Sequence, residues 1–144
     1  MTDTNQETET IEFEVIKQGK APKLNPRFPG EIGYEIGLNK ERKQGAVRLV
    51  SNSGGGRFSK DWVLLSDIET ILTEQPNDKP FRAKLLKALW YRGSANNSGF
   101  LACVLVDLNL IVLTKNRHFD YLVADKVKSK IGALIKVKRT PKIA

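Results

Sequence analysis

The 144-residue chain holds one cysteine, one histidine and one methionine. A lone Cys103 leaves no partner for an internal disulfide, and its place inside the apolar run Phe100–Val106 marks it as buried filler in a reducing compartment. A lone His118 leaves no cluster of metal ligands, so neither a metal nor a cofactor is expected. No apolar run approaches the roughly 20 residues of a membrane span. Met1–Glu9 lacks the basic start and apolar centre of a secretion signal. The expectation is an intracellular protein, cytoplasmic or nucleoid-associated.

Catalysis finds equally little material. His118 and Asp120 stand two apart, which on a helix points them to different sides. Gly54-Gly55-Gly56 precedes a strand-like run rather than a helix, so it reads as a turn and not as a phosphate cradle. The chain is therefore not expected to be an enzyme; a ribonuclease pairing His118 with a lysine is the third-ranked alternative.

Basic charge is abundant. The formal net charge is +8, and residues 1–14 hold five acids and no lysine or arginine, so the remainder carries 24 basic against 11 acidic residues. That balance favours a polyanionic partner, because phosphates release condensed counterions when lysine and arginine replace them.

One stretch organises the rest. Ala46–Ser51 and Arg57–Leu65 are strand-like runs around the turn Ser51-Asn52-Ser53-Gly54-Gly55-Gly56. A helix follows, with Ser66 and Glu69 spaced as a capping box and Ile68, Ile71 and Leu72 on one face. Upstream, Ile11–Ile16 alternates apolar and charged residues as a half-buried strand, and Ile32–Leu38 is a second strand candidate. Between them, Lys17–Gly30 contains three prolines and two glycines and reads as an edge segment or ordered loop.

Downstream, Gln75–Pro80 is the clearest linker. Phe81–Tyr91 has apolar residues at helical spacing, yet the next segments, Phe100–Val106 and Leu110–Leu113, read as strands leading to a helix from Arg117 with the stripe Phe119, Leu122, Val123, Val127, Ile131, Leu134 and Ile135. The two halves then rhyme: Val63-Leu64-Leu65-Ser66 matches Ile111-Val112-Leu113-Thr114, 48 residues on. On that reading Phe81–Tyr91 is a strand and the chain is an internal duplication. The expected fold is α+β, two antiparallel β-sheets from a duplicated β-rich repeat, each repeat followed by a helix. Residues 1–10 form an acidic disordered tail, 11–137 one domain (repeat one 11–75, linker 76–80, repeat two 81–137), and 138–144 a basic tail.

This layout, with Lys17-Gln18-Gly19-Lys20-Ala21, the basic segment Asn25-Pro26-Arg27-Phe28-Pro29, and Lys60-Asp61-Trp62-Val63-Leu64-Leu65-Ser66, resembles the Whirly single-stranded-DNA-binding proteins and, in half-size form, the positive-coactivator-type single-strand binders. The resemblance spans about Glu12–Ile135 and implies two curved sheets, single-stranded DNA as partner, and assembly through the helices into a homo-oligomer, a tetramer being favoured.

Single-strand binding needs cations for phosphates and rings for unstacked bases. The candidate residues are Lys17, Lys20, Lys23, Arg27, Phe28, Lys43, Arg48, Arg57, Phe58, Lys60, Lys84, Trp90, Tyr91 and Arg92. Phe28, Phe58, Trp90 and Tyr91 stand beside turns and basic residues and are the stacking candidates; Tyr34 and Trp62 are assigned to the core. Lys84 and Lys87 would face opposite sides of a strand. The functional expectation is a single-stranded-DNA-binding protein with little sequence specificity, acting in replication, recombination, repair or transcription regulation. RNA binding by the same fold, or a structural protein-interaction subunit, are the alternatives.

Overall fold

Alternation builds the central strand of the larger sheet. The computed structural model describes residues 12–24, 30–41, 43–54, 58–76, 78–90, 96–114 and 120–135. Within them β2 (Glu31–Asn39) lies between β1 (Glu14–Pro22) and β3 (Gln44–Asn52), and β3 also pairs with the short β4 (Val63–Leu64), every pairing antiparallel. Ile32, Tyr34 and Ile36 share one side of β2 and are buried, since alternate strand residues share a face. Leu49 and Val47 stand opposite Tyr34 and Ile36 and complete that apolar face. Two helices pack on the sheet: α1 (Leu65–Thr73) on β3, and α2 (Asn96–Asp107) on β1 and β2.

The second sheet is smaller. β5 (Phe81–Arg82), β6 (Ile111–Leu113) and β7 (Asp120–Val123) are ordered β5-β7-β6, with Phe81 opposite Tyr121 and their rings 6.0 Å apart. A last helix, α3 (Val127–Leu134), packs on α1. One apolar cluster joins the sheets, running from Ile36 through Ile68 and Leu86 to Leu105 and Ile111. The chain is therefore α+β with two antiparallel sheets. No helix among the described residues is long and apolar enough to cross a membrane.

The first half follows the sequence reading closely, with three differences. β1 extends past Ile16 through Lys17–Pro22, which for that stretch is the edge segment of the two alternatives rather than the loop; as an edge strand it pairs on one side only, so glycine and a terminal proline cost it little. The Arg57–Leu65 run yields only two paired residues, Val63–Leu64. The helix after it starts at Leu65 and its N-cap, Leu64, makes no side-chain cap hydrogen bond, so Ser66 does not cap it. Burial of Leu65 in the first turn sets this helix start, ahead of the capping signal.

The second half departs further, and its element order differs from that of the first. Phe81–Tyr91 is not one strand: after Phe81–Arg82 the chain forms a 3₁₀ helix, Ala83–Leu89, from a run of helix formers without a β-branched residue. Phe100–Val106 is not a strand but part of α2. Leu101, Ala102, Cys103, Val104 and Leu105 are all buried, and a continuous apolar run of this kind is ambiguous in sequence because a helix buried on every side has no polar face to reveal it. The helix expected from Arg117 is divided: Asp120–Val123 is a strand, and the helix begins only at Val127, after Lys126 in the left-handed region (φ 57°). Residues 1–11 and 136–144 lie outside the described residues, and with them both terminal tails.

Candidate nucleic-acid interface

Opposite the helices, the larger sheet presents a face of different character. Gln18, Glu35 and Arg48 form a cross-strand row there. Arg48 Nε and Nη2 both donate to Glu35 Oε1, at 2.9 and 2.8 Å, and Gln18 Nε2 donates to Glu35 Oε2 at 3.2 Å. The Arg48 guanidinium also lies over the Trp62 ring, 4.4 Å from its centroid. Phe13 stands against the same indole, with ring centroids 5.1 Å apart and a 41° tilt.

Glycine makes room for this column. A Cβ at Gly37 would sit 2.7 Å from Trp62 Cη2 and 2.8 Å from Phe13 Cβ, so only hydrogen fits beneath the rings. Lys20 and Ser51 are exposed beyond the row, on either side of Gly33. The face thus carries half-buried rings, a stacked guanidinium and an exposed lysine.

A second cluster lies at the end of the sheet where β1, β3 and the start of α2 meet. Lys23, just after β1, is tied back by its N–H donating to Gly30 O at 2.8 Å, and its ammonium stands 5.4 Å from the Phe100 ring centroid. Phe58 meets Phe100 edge-on with centroids 6.1 Å apart. Next to Phe58, the Ser59 N–H donates to Asn97 Oδ1 at 2.7 Å. One turn beyond Phe100, burial pushes the Cys103 thiol up, with the Leu24 N–H and Lys23 pulling weakly the other way. A neutral, buried thiol has little thiolate character, which fits the filler role.

The sequence-predicted residues divide accordingly. Lys20 and Arg48 share the open face and Lys23 and Phe58 the end cluster. Lys17 registers opposite Ile36, on the helix-covered side, but is exposed at the sheet edge. Lys43 sits in the β2–β3 turn, lining a cavity of about 360 Å³ with Leu38, Lys40, Gly132 and Ile135. Lys60 is exposed before β4. Trp90 is only 9% exposed, so its ring belongs to the core rather than to a stacking surface. Lys84 and Lys87 are both exposed and, three residues apart on a 3₁₀ helix, share a side instead of opposing each other. Arg27, Phe28, Arg57, Tyr91 and Arg92 lie outside the described residues, as does His118.

Phe13 is absent from the sequence candidates and Trp62 is assigned there to the core, yet both stand on this face. The alternation of Phe13 and Val15 against Glu12 and Glu14 signals a shared face, but not which face. Tyr34, by contrast, is buried as expected. Among the described residues no group of three or more His, Cys, Asp or Glu could hold a metal ion. Comparison of the chain with protein families, curated proteins and solved structures finds no match.

Proposed function

We propose that the chain binds single-stranded nucleic acid, with DNA as the preferred ligand and little sequence preference, on the open face of the four-stranded sheet. The Phe13–Trp62–Arg48 column carries this reading. A column of half-buried rings and a guanidinium offers flat surfaces on which unstacked bases lie at about 1–3 kcal/mol each, whatever their sequence. Bases in a duplex are already stacked, so duplex DNA gains nothing from such a platform. Arg48 is neutralised by Glu35 and acts through its plane; phosphates fall to Lys20 and to Lys23 at the end of the sheet. The net charge of +8 supports the same partner.

A Whirly-type arrangement is the fold-level form of this proposal, and the first half supports it: a four-stranded antiparallel sheet running directly into a helix. Tetramer formation loses the support it had in sequence, because the Leu122–Ile135 stripe is split between β7 and α3, with Val127 and Ile131 buried within the chain. The binding proposal does not require assembly.

Tryptophan fluorescence tests it directly. In a Trp90→Phe background Trp62 is the sole tryptophan, and excitation at the red edge of indole absorption leaves the tyrosines dark. Titration with a mixed-sequence single-stranded oligonucleotide is expected to quench it, with affinity falling steeply as salt rises and with duplex failing to compete. Absence of quenching and of binding at low salt would refute the proposal, and stronger competition by RNA than by DNA would reassign the ligand.

A further inference from the structure

We infer that Glu35 is a selectivity residue of the open face: it holds the Arg48 guanidinium as a platform for bases and withholds its charge from phosphate, so that single strands are taken and duplex is refused. This inference rests on the single-strand reading above.

The contacts around Glu35 carry it. Both carboxylate oxygens are engaged, Oε1 by Arg48 Nε and Nη2 at 2.9 and 2.8 Å and Oε2 by Gln18 Nε2 at 3.2 Å. Bonded from β1 on one side and β3 on the other, the carboxylate keeps the guanidinium in place over the Trp62 ring, 4.4 Å from its centroid. The acid is the deeper member of the pair: its side chain is 15% exposed and that of Arg48 is 34%. Salt screens a half-buried pair less than an exposed one, so the pair persists where a ligand arrives. That ligand meets a guanidinium whose charge is already compensated.

Two features distinguish this arrangement from an ion pair that serves the sheet alone. The cation is shared with an indole, which makes its flat face part of the stacking column. The carboxylate accepts only, as phosphate oxygens do, so the two have no hydrogen bond to make and their charges repel. Base amino and imino groups are donors and meet the same carboxylate favourably. Lys20 lies two residues from Gln18 on β1, exposed and on the same side, about 7 Å along the strand. The face is thereby divided, with bases over the Gln18–Glu35–Arg48 row and phosphate at Lys20. A duplex, which offers phosphate and no free base, finds the central arginine already paired.

The test uses the full chain, the variants Glu35→Gln and Arg48→Gln, and their combination. Glu74→Gln, which removes the same charge from an exposed position at the end of α1, is the control. Anisotropy of labelled single-stranded and duplex oligonucleotides of one sequence is read over a salt series. In Glu35→Gln the slope of log affinity against log salt is expected to steepen by about 0.7 for the single strand and about 0.9 for the duplex, as Arg48 turns to a phosphate. The preference for the single strand should fall about tenfold, the gain of one charge-assisted hydrogen bond by the duplex. Arg48→Gln should weaken single-strand binding with no change of slope, and the double variant and Glu74→Gln should keep the parent's slope. An unchanged slope in Glu35→Gln, or one about 0.7 shallower in Arg48→Gln, would overturn the inference and leave single-strand binding in place. Arg48→Gln alone decides the matter should Glu35→Gln fail to fold. A parent that binds no single strand, or binds duplex as tightly, would instead remove the single-strand reading and this inference with it.

Discussion

The Tyr34 hydroxyl donates to Asp107 Oδ2 at 2.6 Å, tying the central strand of the larger sheet to the last residue of α2 across 73 residues of chain. Gly19 stands opposite Tyr34 in β1, and a Cβ there would lie 2.5 Å from the hydroxyl oxygen and 2.6 Å from Cζ. The ring cannot retreat freely, because it is buried and its hydroxyl is engaged. Tyr34→Phe is expected to cost about 1 kcal/mol, the net worth of one hydrogen bond. Gly19→Ala should cost more, about 1–3 kcal/mol, through overpacking. Urea denaturation of both variants checks the order; a smaller loss for Gly19→Ala would mean that the ring yields.

Trp62 and Trp90 should behave oppositely. Trp62→Ala removes the centre of the Phe13–Arg48 column and is expected to weaken single-strand binding by about 1–3 kcal/mol, the worth of one stacked base. Trp90→Phe should leave binding unchanged, since that ring is in the core. It also removes an indole N–H that is buried without a hydrogen-bond partner, so the lost ring area is offset and stability should change by less than about 1 kcal/mol. Anisotropy with a labelled oligonucleotide and thermal melting separate the two effects.

These residues also show where sequence reading succeeds and fails. Period-two alternation in Ile32–Leu38 identifies a strand with a buried face, because a sheet covered on one side imposes that pattern. Leu101–Leu105 gives no such signal, since α2 is apolar nearly all round, and the apparent match between Val63–Ser66 and Ile111–Thr114 tipped the balance toward strands. The match is real as sequence, but Val63–Leu64 runs directly into α1, whereas among the described residues the next element after Ile111–Leu113 is the strand β7. The proposed binding face was half legible. Lys20 and Arg48 were identified by charge, while Trp62 was assigned to the core because side-chain direction outside a paired strand depends on what lies beneath it, here Gly37.

High pH should unfold the chain in a defined window. Burial pushes the Tyr121 hydroxyl from 10.0 up to about 12, with the neighbouring Cys103 adding to the rise, and burial raises Tyr34 as well, helped by Asp107. A folded-state value above the unfolded one means that the unfolded chain releases protons first, so the stability that Tyr121 contributes is intact below pH 10 and is lost as pH rises from about 10 toward 12. Tyr121→Phe is expected to flatten the fall of stability with pH in that window without altering its slope between pH 6 and 9. Denaturant midpoints across both ranges would show this, and an unchanged alkaline slope would contradict it.

Lys126 and Lys128 offer a contrast of sign. Lys126 precedes α3 with φ 57° and ψ 38°, a left-handed conformation that costs a lysine about 1–2 kcal/mol and glycine almost nothing. Lys126→Gly should therefore stabilise the chain by about 0.5 kcal/mol, once the greater freedom of glycine in the unfolded chain is counted. Lys128 lies two residues on, exposed in the helix, where glycine costs about 1 kcal/mol. Both substitutions remove one positive charge from the same helix end, so electrostatics largely cancels in the comparison and the backbone decides. Melting temperatures moving in opposite directions are expected. A fall in both would mean that Lys126 contributes through its side chain rather than being tolerated in its backbone conformation.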